Sequence, residues 1–294
     1  MDRLLALLSR LPLPVLYALA LLAWPVVMSG ARYRRDVVES NLAHALPELS
    51  PRQRRRIRRR FYLHFCNVAA EALRGMHLPP EQLASRVRVH NWEAVAPFLE
   101  QRQSLLMLTL HQGNWEWLLG AVAQRMPCPT DVIYKPLHNQ AVDRFMQTSR
   151  ARFNSRPVPI HRTMREMLRR RREFRTFAML ADQAPFKKDR MSWHWFLNRP
   201  AAFYLGPQTI AEATQYPVIF VHTTRRRLGH YDAHFEVLAR PPIARDGSEV
   251  LDAYVDAVER AIRRQPETWL WSNRKWKHDP PEDFLLTTDP PAPI

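Results

Sequence analysis

From Val87 onward the chain alternates between short aliphatic or β-branched runs and longer amphipathic ones, and that rhythm constrains its fold more than any other feature. Strand-like runs fall at 104–110, 130–134, 176–181, 218–223 and 231–238. Helix-like runs fall at 115–125, 140–153, 163–174, 207–214 and 249–264. Strands spaced by helices of this length predict an α/β fold, a mixed central sheet flanked by helices on both faces. With 294 residues, 46% of them hydrophobic, the chain can bury a substantial core.

The N-terminus follows different rules. Residues 11–31, LPLPVLYALALLAWPVVMSGA, form 21 consecutive uncharged positions, with Arg3 and Arg10 before them and Arg32, Arg34 and Arg35 after. That length suits a hydrophobic membrane-anchor helix, spanning the bilayer or lying in its interface, with a break or kink at Pro25. A cleaved signal peptide and a buried core helix are the competing readings. The arginines after the run resist translocation and place the body of the chain on the cytoplasmic side. The expected organisation is an anchor (1–31), a basic helical membrane-proximal region (32–85), the α/β domain (86–285) and a flexible tail (286–294).

Within the basic region, Ser50-Pro51 opens a helix, and seven arginines crowd positions 52 to 60 with almost no acids to pair with. They read either as a solvated face or as a grip on anionic lipid head groups, while Phe61, Phe65, Val68, Ala69 and Leu73 recur at helical spacing toward a core. The whole chain carries 44 Lys+Arg against 28 Asp+Glu, a formal charge of +16. Such an excess fits an acidic partner, an anionic membrane surface or nucleic acid. No nucleic-acid-binding motif accompanies it. The two cysteines, Cys66 and Cys128, are far apart and do not form a disulfide framework. Seven glycines and the lack of G-x-G-x-x-G or Walker patterns leave no phosphate cradle. G-x-S-x-G and H-E-x-x-H patterns are missing too, and His230 and His234 lie along a strand-like run. Hence no metal and no cofactor is expected.

The chemistry concentrates at SLLMLTLHQGNWEWLLG, residues 104–120. A strand ends at His111, a polar elbow follows, and Asn114 caps the next helix. Glu116, in the first turn of that helix, can reach back to one ring nitrogen of His111 and leave the other free as a general base. The plainer reading is a histidine that closes the elbow and a glutamate that complements the helix dipole. Downstream, YKP (Tyr134, Lys135, Pro136) and DQ (Asp182, Gln183) each follow a strand, and SRAR (Arg150, Arg152) lies near the end of a helix. In an α/β sheet ligands gather beyond the carboxyl ends of the strands, where His111, Lys135 and Asp182 would cluster.

Taken in order, the box H-x4-E, Y-K-P, R-x-R, D-Q and the terminal WLWSNRKWK resemble the late acyltransferases of lipid A biosynthesis, the lauroyl and myristoyl transferases, a branch of the lysophospholipid acyltransferase superfamily. The resemblance covers nearly the whole chain. Asn273 stands where relatives often carry His, and Leu197-Asn198 replaces a more usual Phe-Gly. The resemblance implies transfer of a fatty acyl group from an acyl carrier protein thioester to a hydroxyl of an anionic glycolipid, a phosphorylated glucosamine disaccharide, at the bacterial inner membrane. It implies His111 as base and Glu116 as its partner, with Arg150, or Arg152 two residues on, holding phosphate or polarising the carbonyl. Gly113, Asn114, Tyr134, Lys135, Pro136, Asp182 and Gln183 would bind substrate, and Trp115, Trp117 and Leu118 would line an apolar slot or simply belong to the core. A lysophospholipid or aminolipid acyltransferase using the same box is the alternative.

Overall fold

The computed structural model describes residues 2–30, 32–187 and 189–287. Its N-terminal third is helical: α1 (Asp2–Leu8), α2 (Leu13–Pro25), α3 (Arg35–Ala45), α4 (Pro51–Gly75) and α5 (Pro80–Arg86). There follow β1 (Val87–Val89), α6 (Ala96–Glu100), β2 (Leu105–Thr109), α7 (Trp115–Arg125), β3 (Thr130–Tyr134), α8 (Gln140–Arg150), β4 (Ser155–Pro159), α9 (Thr163–Arg169) and β5 (Thr176–Leu180). The last third holds β6 (Met191–Phe196), β7 (Arg199–Tyr204), α10 (Gly206–Thr214), β8 (Val218–Arg227), β9 (His230–Ala239), α11 (Glu249–Arg264) and α12 (Glu282–Thr287). The expected tail lies outside the described residues from 288 on.

Seven strands form one mixed sheet in the order β1-β9-β8-β2-β5-β3-β4, and β6 and β7 form a separate hairpin. All pairings in the large sheet are parallel except β8 with β9. The short strands β1 and β4 and the hairpin carry too weak an apolar pattern to be read from sequence. β4, for instance, is SRPVP, whose two prolines confine it to the sheet edge it occupies.

Strand β2 shows why the sheet is central. Leu105 and Met107 face a cluster with Trp117, Leu118 and Val122 of α7, whereas Leu106 and Leu108 face one with Ile210, Tyr254 and Val258 of α10 and α11. All four strand residues are buried, as period-two alternation demands when helices cover both faces. The β6–β7 turn places Leu197 at φ 49° and Asn198 at φ 64°. Asn tolerates that left-handed pair, and its Nδ2 donates to the Ala45 carbonyl at 3.0 Å.

Helix α4 begins with a reciprocal cap. Gln53 N donates to Ser50 Oγ and Ser50 N to Gln53 Oε1, with Pro51 in the first turn. Its arginines divide. Arg54 holds the carbonyls of Leu46 and Leu49 and Arg58 pairs with Glu39, while Arg52, Arg55, Arg56 and Arg59 remain exposed.

The apolar N-terminal segment is helical through Pro25 and continues as a π-turn over Val26–Gly30. Proline lacks the amide that would continue the α ladder, so the register changes there. Leu13–Gly30 is long and apolar enough to cross a membrane. Yet one side of it is seated on the body: Leu16 and Ala20 pack with Cys66 and Ala70 of α4, while Leu19, Leu22 and Val26 are exposed.

Candidate active site

The carboxyl ends of β2 and β5 make the site. The two strands pair in register from Leu105–Thr176 to Thr109–Leu180. His111 and Asp182, each two residues past the last pair, therefore emerge side by side. Asp182 Oδ1 lies 2.7 Å from His111 Nδ1, and Asp182 Oδ2 accepts the His111 amide at 3.0 Å and the Trp269 indole N–H at 2.9 Å. With three hydrogen bonds supplied inside the protein, the buried Asp182 carboxylate is stable as an anion. Burial raises its pKa, but the opposing pull of His111 and the three hydrogen bonds hold it below the ordinary carboxylate value.

The anion fixes the tautomer, because a carboxylate can only accept: Nδ1 carries the hydrogen and Nε2 keeps its lone pair. Nε2 points toward Gln183, whose amide nitrogen is 3.1 Å away. The Trp115 ring meets the imidazole edge-on at 5.2 Å.

Glu116 therefore does not occupy the place expected of it. The partner of His111 is Asp182, and Glu116 turns the other way, to Arg150. Arg150 Nε and Nη2 donate to its two oxygens at 2.9 and 2.5 Å, and the Trp115 indole N–H adds a third bond at 3.1 Å. His111 leaves the elbow before α7 begins, so the two side chains diverge. Burial opposes the Arg150 charge, yet Glu116 outweighs it and keeps the guanidinium pKa above its usual value.

The two arginines of the R-x-R pair also part company. Arg150 lies beside the cavity described below, with its guanidinium near the Tyr134 ring, whereas Arg152 donates to the carbonyls of Gly75 and Leu78. Arg152 thus clamps the end of α4. Ala151 terminates α8 between them, and the chain has turned away by Arg152.

Gly113 and Asn114 likewise sit behind the site, not in it. Gly113 has φ +61°, and a Cβ there would fall 2.2 Å from Thr223 Oγ1, so only glycine fits the elbow. Asn114 is fully buried; its Oδ1 caps α7 by accepting from Trp117 N at 2.9 Å. Trp117 is also turned inward, donating its indole N–H to the Glu71 carbonyl at 2.9 Å.

Beside His111 opens a cavity of about 350 Å³, within the range of small-molecule sites. Alternate residues of three neighbouring strands line it: Met107 and Thr109 of β2, Ala178 and Leu180 of β5, Thr130, Val132 and Tyr134 of β3. Helix α7 adds Leu118, Leu119 and Val122. Met107, Ala178 and Val132 form one row across the sheet, and the small Ala178 leaves its middle open. Polar groups gather at the end where His111, Glu116, Lys135, Arg150 and Gln183 stand. Lys135 rests 3.8 Å above the Phe186 ring, and burial and then Lys277 lower its pKa. Four residue steps along β3 lead from Thr130 to Tyr134, so the apolar walls run for roughly 13 Å.

Trp269 was not among the expected site residues, although it belongs to the quoted WLWSNRKWK stretch. That stretch straps the elbow. Leu270 N donates to the His111 carbonyl at 3.0 Å, and Trp269 bridges Gln112 as well as bonding Asp182. Asn41 of α3 holds the carbonyls of Trp271 and Asn273, each at 2.8 Å. Lys275 is wholly buried, donating to the Ala202 carbonyl and standing 3.1 Å over the Phe203 ring.

Comparison with known proteins gives two findings. A family model described as bacterial lipid A biosynthesis acyltransferase matches residues 3–278. The chain is also similar to the lipid A biosynthesis lauroyltransferase of Escherichia coli (strain K12), 22% identical over 275 residues that cover 92% of this chain and 88% of that protein.

Proposed function

The chain belongs to the bacterial lipid A biosynthesis acyltransferase family, and from that premise we propose that it transfers a fatty acyl group from an acyl carrier protein thioester to a hydroxyl of a lipid A precursor. The observation that carries this reading is the His111–Asp182 pair at the polar end of an apolar cavity.

His111 Nε2 takes the proton of the acceptor hydroxyl while that oxygen attacks the thioester carbonyl. Asp182 steadies the imidazolium as it forms. The tetrahedral intermediate carries an oxyanion, and the guanidinium of Arg150, fixed by Glu116, and the ammonium of Lys135 supply positive charge on that side. The intermediate then expels the thiolate, which recovers the proton from His111. A C–O bond has formed and a C–S bond has broken, leaving an ester and a carrier thiol. A thioester is already activated, so the step calls for no covalent enzyme intermediate and draws on no metal or cofactor.

The acyl tail lies along the walls from Tyr134 toward Thr130, where each methylene removed from water adds about 0.8 kcal/mol. The acceptor is an anionic glycolipid, and the excess of arginine and lysine suits its phosphates, an acidic carrier protein and an anionic bilayer alike. In this reading the exposed face of α2 anchors the protein at the inner membrane, with the body on the cytoplasmic side.

Mass spectrometry of lipid A from cells with and without the gene tests the substrate. A missing secondary acyl chain is the expected result. Unchanged lipid A with altered glycerophospholipids would transfer the activity to the other branch of the superfamily.

A further inference from the structure

Behind the elbow, on the side away from the cavity, stands a carboxylate that the chemistry above does not use. Glu71 of α4 is fully buried, yet it accepts three hydrogen bonds from three separate parts of the chain. Tyr17 Oη donates to Oε1 at 2.8 Å; Asn114 Nδ2 and Tyr231 Oη donate to Oε2, each at 2.7 Å. Two turns earlier on the same helix, His64 Nε2 lies 3.2 Å from the Gly113 carbonyl. A carbonyl only accepts, so Nε2 bears the hydrogen and Nδ1 accepts from Arg225 Nη1 at 3.1 Å. Helix α4 therefore grips the elbow at two consecutive residues, Gly113 and Asn114. Both lie between His111 and the glutamate that holds Arg150.

Tyr17 is the unusual member. It sits on α2, the segment whose opposite side is exposed Leu19, Leu22 and Val26. Its hydroxyl has a shaped seat: a Cβ on Gly229 would come 2.4 Å from Tyr17 Oη. Leu13, Leu16 and Ala20 are buried on the same side of α2 as this hydroxyl bond. The helix thus contributes a polar group to the buried support of the site.

We propose that Tyr17, Glu71 and Asn114 form a positioning relay, through which α2 seated along the body holds the catalytic elbow in its working geometry. The idea deepens the acyl-transfer reading and rests on it for the meaning of the turnover number. In physical terms, a buried carboxyl group deprived of one donor must shift toward its remaining partners, and Asn114 is one of them. A small displacement of the elbow moves His111 relative to Arg150, and catalysis is sensitive to such displacements.

The test uses the full chain in phospholipid vesicles, with Tyr17→Phe, Glu71→Gln and Leu22→Ser compared with wild type. Tyr17→Phe removes one oxygen and keeps the ring. It is expected to lower kcat roughly 10- to 100-fold with KM unchanged, and to speed amide hydrogen exchange over residues 113–118 while vesicle binding stays at the wild-type level. Glu71→Gln keeps one acceptor oxygen, and Tyr17 can turn to accept from the new amide, so it should fall between wild type and Tyr17→Phe. Leu22→Ser, on the exposed face, should weaken vesicle binding and leave exchange at the elbow unchanged. Tyr17→Phe with wild-type kcat and wild-type exchange at the elbow overturns the relay. Because exchange needs no acyl transfer, a wild type inactive on the thioester would sink the functional reading and leave the relay standing or falling on exchange alone.

Discussion

Asp182 Oδ1 is 2.7 Å from His111 Nδ1 across 71 residues of chain, while the carboxylate of Glu116, five residues away, is bonded to Arg150 instead. The pair exists because β2 and β5 are neighbours in register, and it determines which ring nitrogen is basic.

Asp182→Asn tests that assignment with almost no change of shape. The single remaining oxygen can still accept from His111 N and Trp269, which leaves an amide N–H aimed at Nδ1. That reverses the tautomer and puts the hydrogen on Nε2, where it blocks the base. Acyl transfer should fall about 10²- to 10⁴-fold with thioester binding retained. Full activity in this variant would return the partner role to another residue.

Arg150 and Arg152 should separate cleanly by substitution. Arg150→Lys loses the two-pronged contact with Glu116, and kcat should drop by about 10²-fold or more. Arg152→Ala strips two carbonyls of their donor; it should cost about 1–2 kcal/mol of stability while kcat stays within a factor of ~3, since the residue lies away from the chemistry. Chemical denaturation and steady-state rates on both variants read the difference.

Ala178 is the gap in the row between Met107 and Val132. Ala178→Phe should fill the middle of the cavity and move donor preference to shorter chains. Each methylene that no longer fits forfeits about 0.8 kcal/mol, a fall of about fourfold in kcat/KM. Competition between thioesters of different length, read by mass spectrometry, measures the shift, and an unchanged profile would place the tail elsewhere.

Two histidines, one buried and one half-buried, predict an acid-sensitive fold. Burial first, and Arg225 second, bring the His64 pKa down to about 3; burial and then His234 bring His222 down to about 4. The unfolded chain protonates histidine below about 6.5, so unfolding takes up protons throughout the interval beneath that value. Their contribution is complete above pH 6.5 and is lost as the pH falls toward 4, with a slope approaching about one proton for each residue. Urea denaturation from pH 7 to pH 4 should show the decline, and His222→Phe should flatten it by about one proton.

Much of this molecule is local and was legible in its sequence. The limits of β3, α7 and α11 match their apolar periodicity residue for residue. Ser50 and Asn114 cap the helices they precede, and Pro25 ends the α-helical part of the N-terminal segment. These features depend on contacts within a few residues, where spacing alone determines what can meet.

The identity of the groups that meet at the site was decided by tertiary structure. His111 and Glu116 are near in sequence, but an elbow between a strand and a helix sends them in different directions. His111 finds its carboxylate on a neighbouring strand, Glu116 finds its cation on α8, and Asp182 draws a further bond from Trp269 near the other end of the chain. No periodicity encodes which strands lie side by side, because strand order follows from how the helices and the two apolar clusters fill space around the sheet. The same holds for α2. Composition marks it as apolar and long enough for a bilayer, but only packing brings its one tyrosine to a buried glutamate behind the elbow.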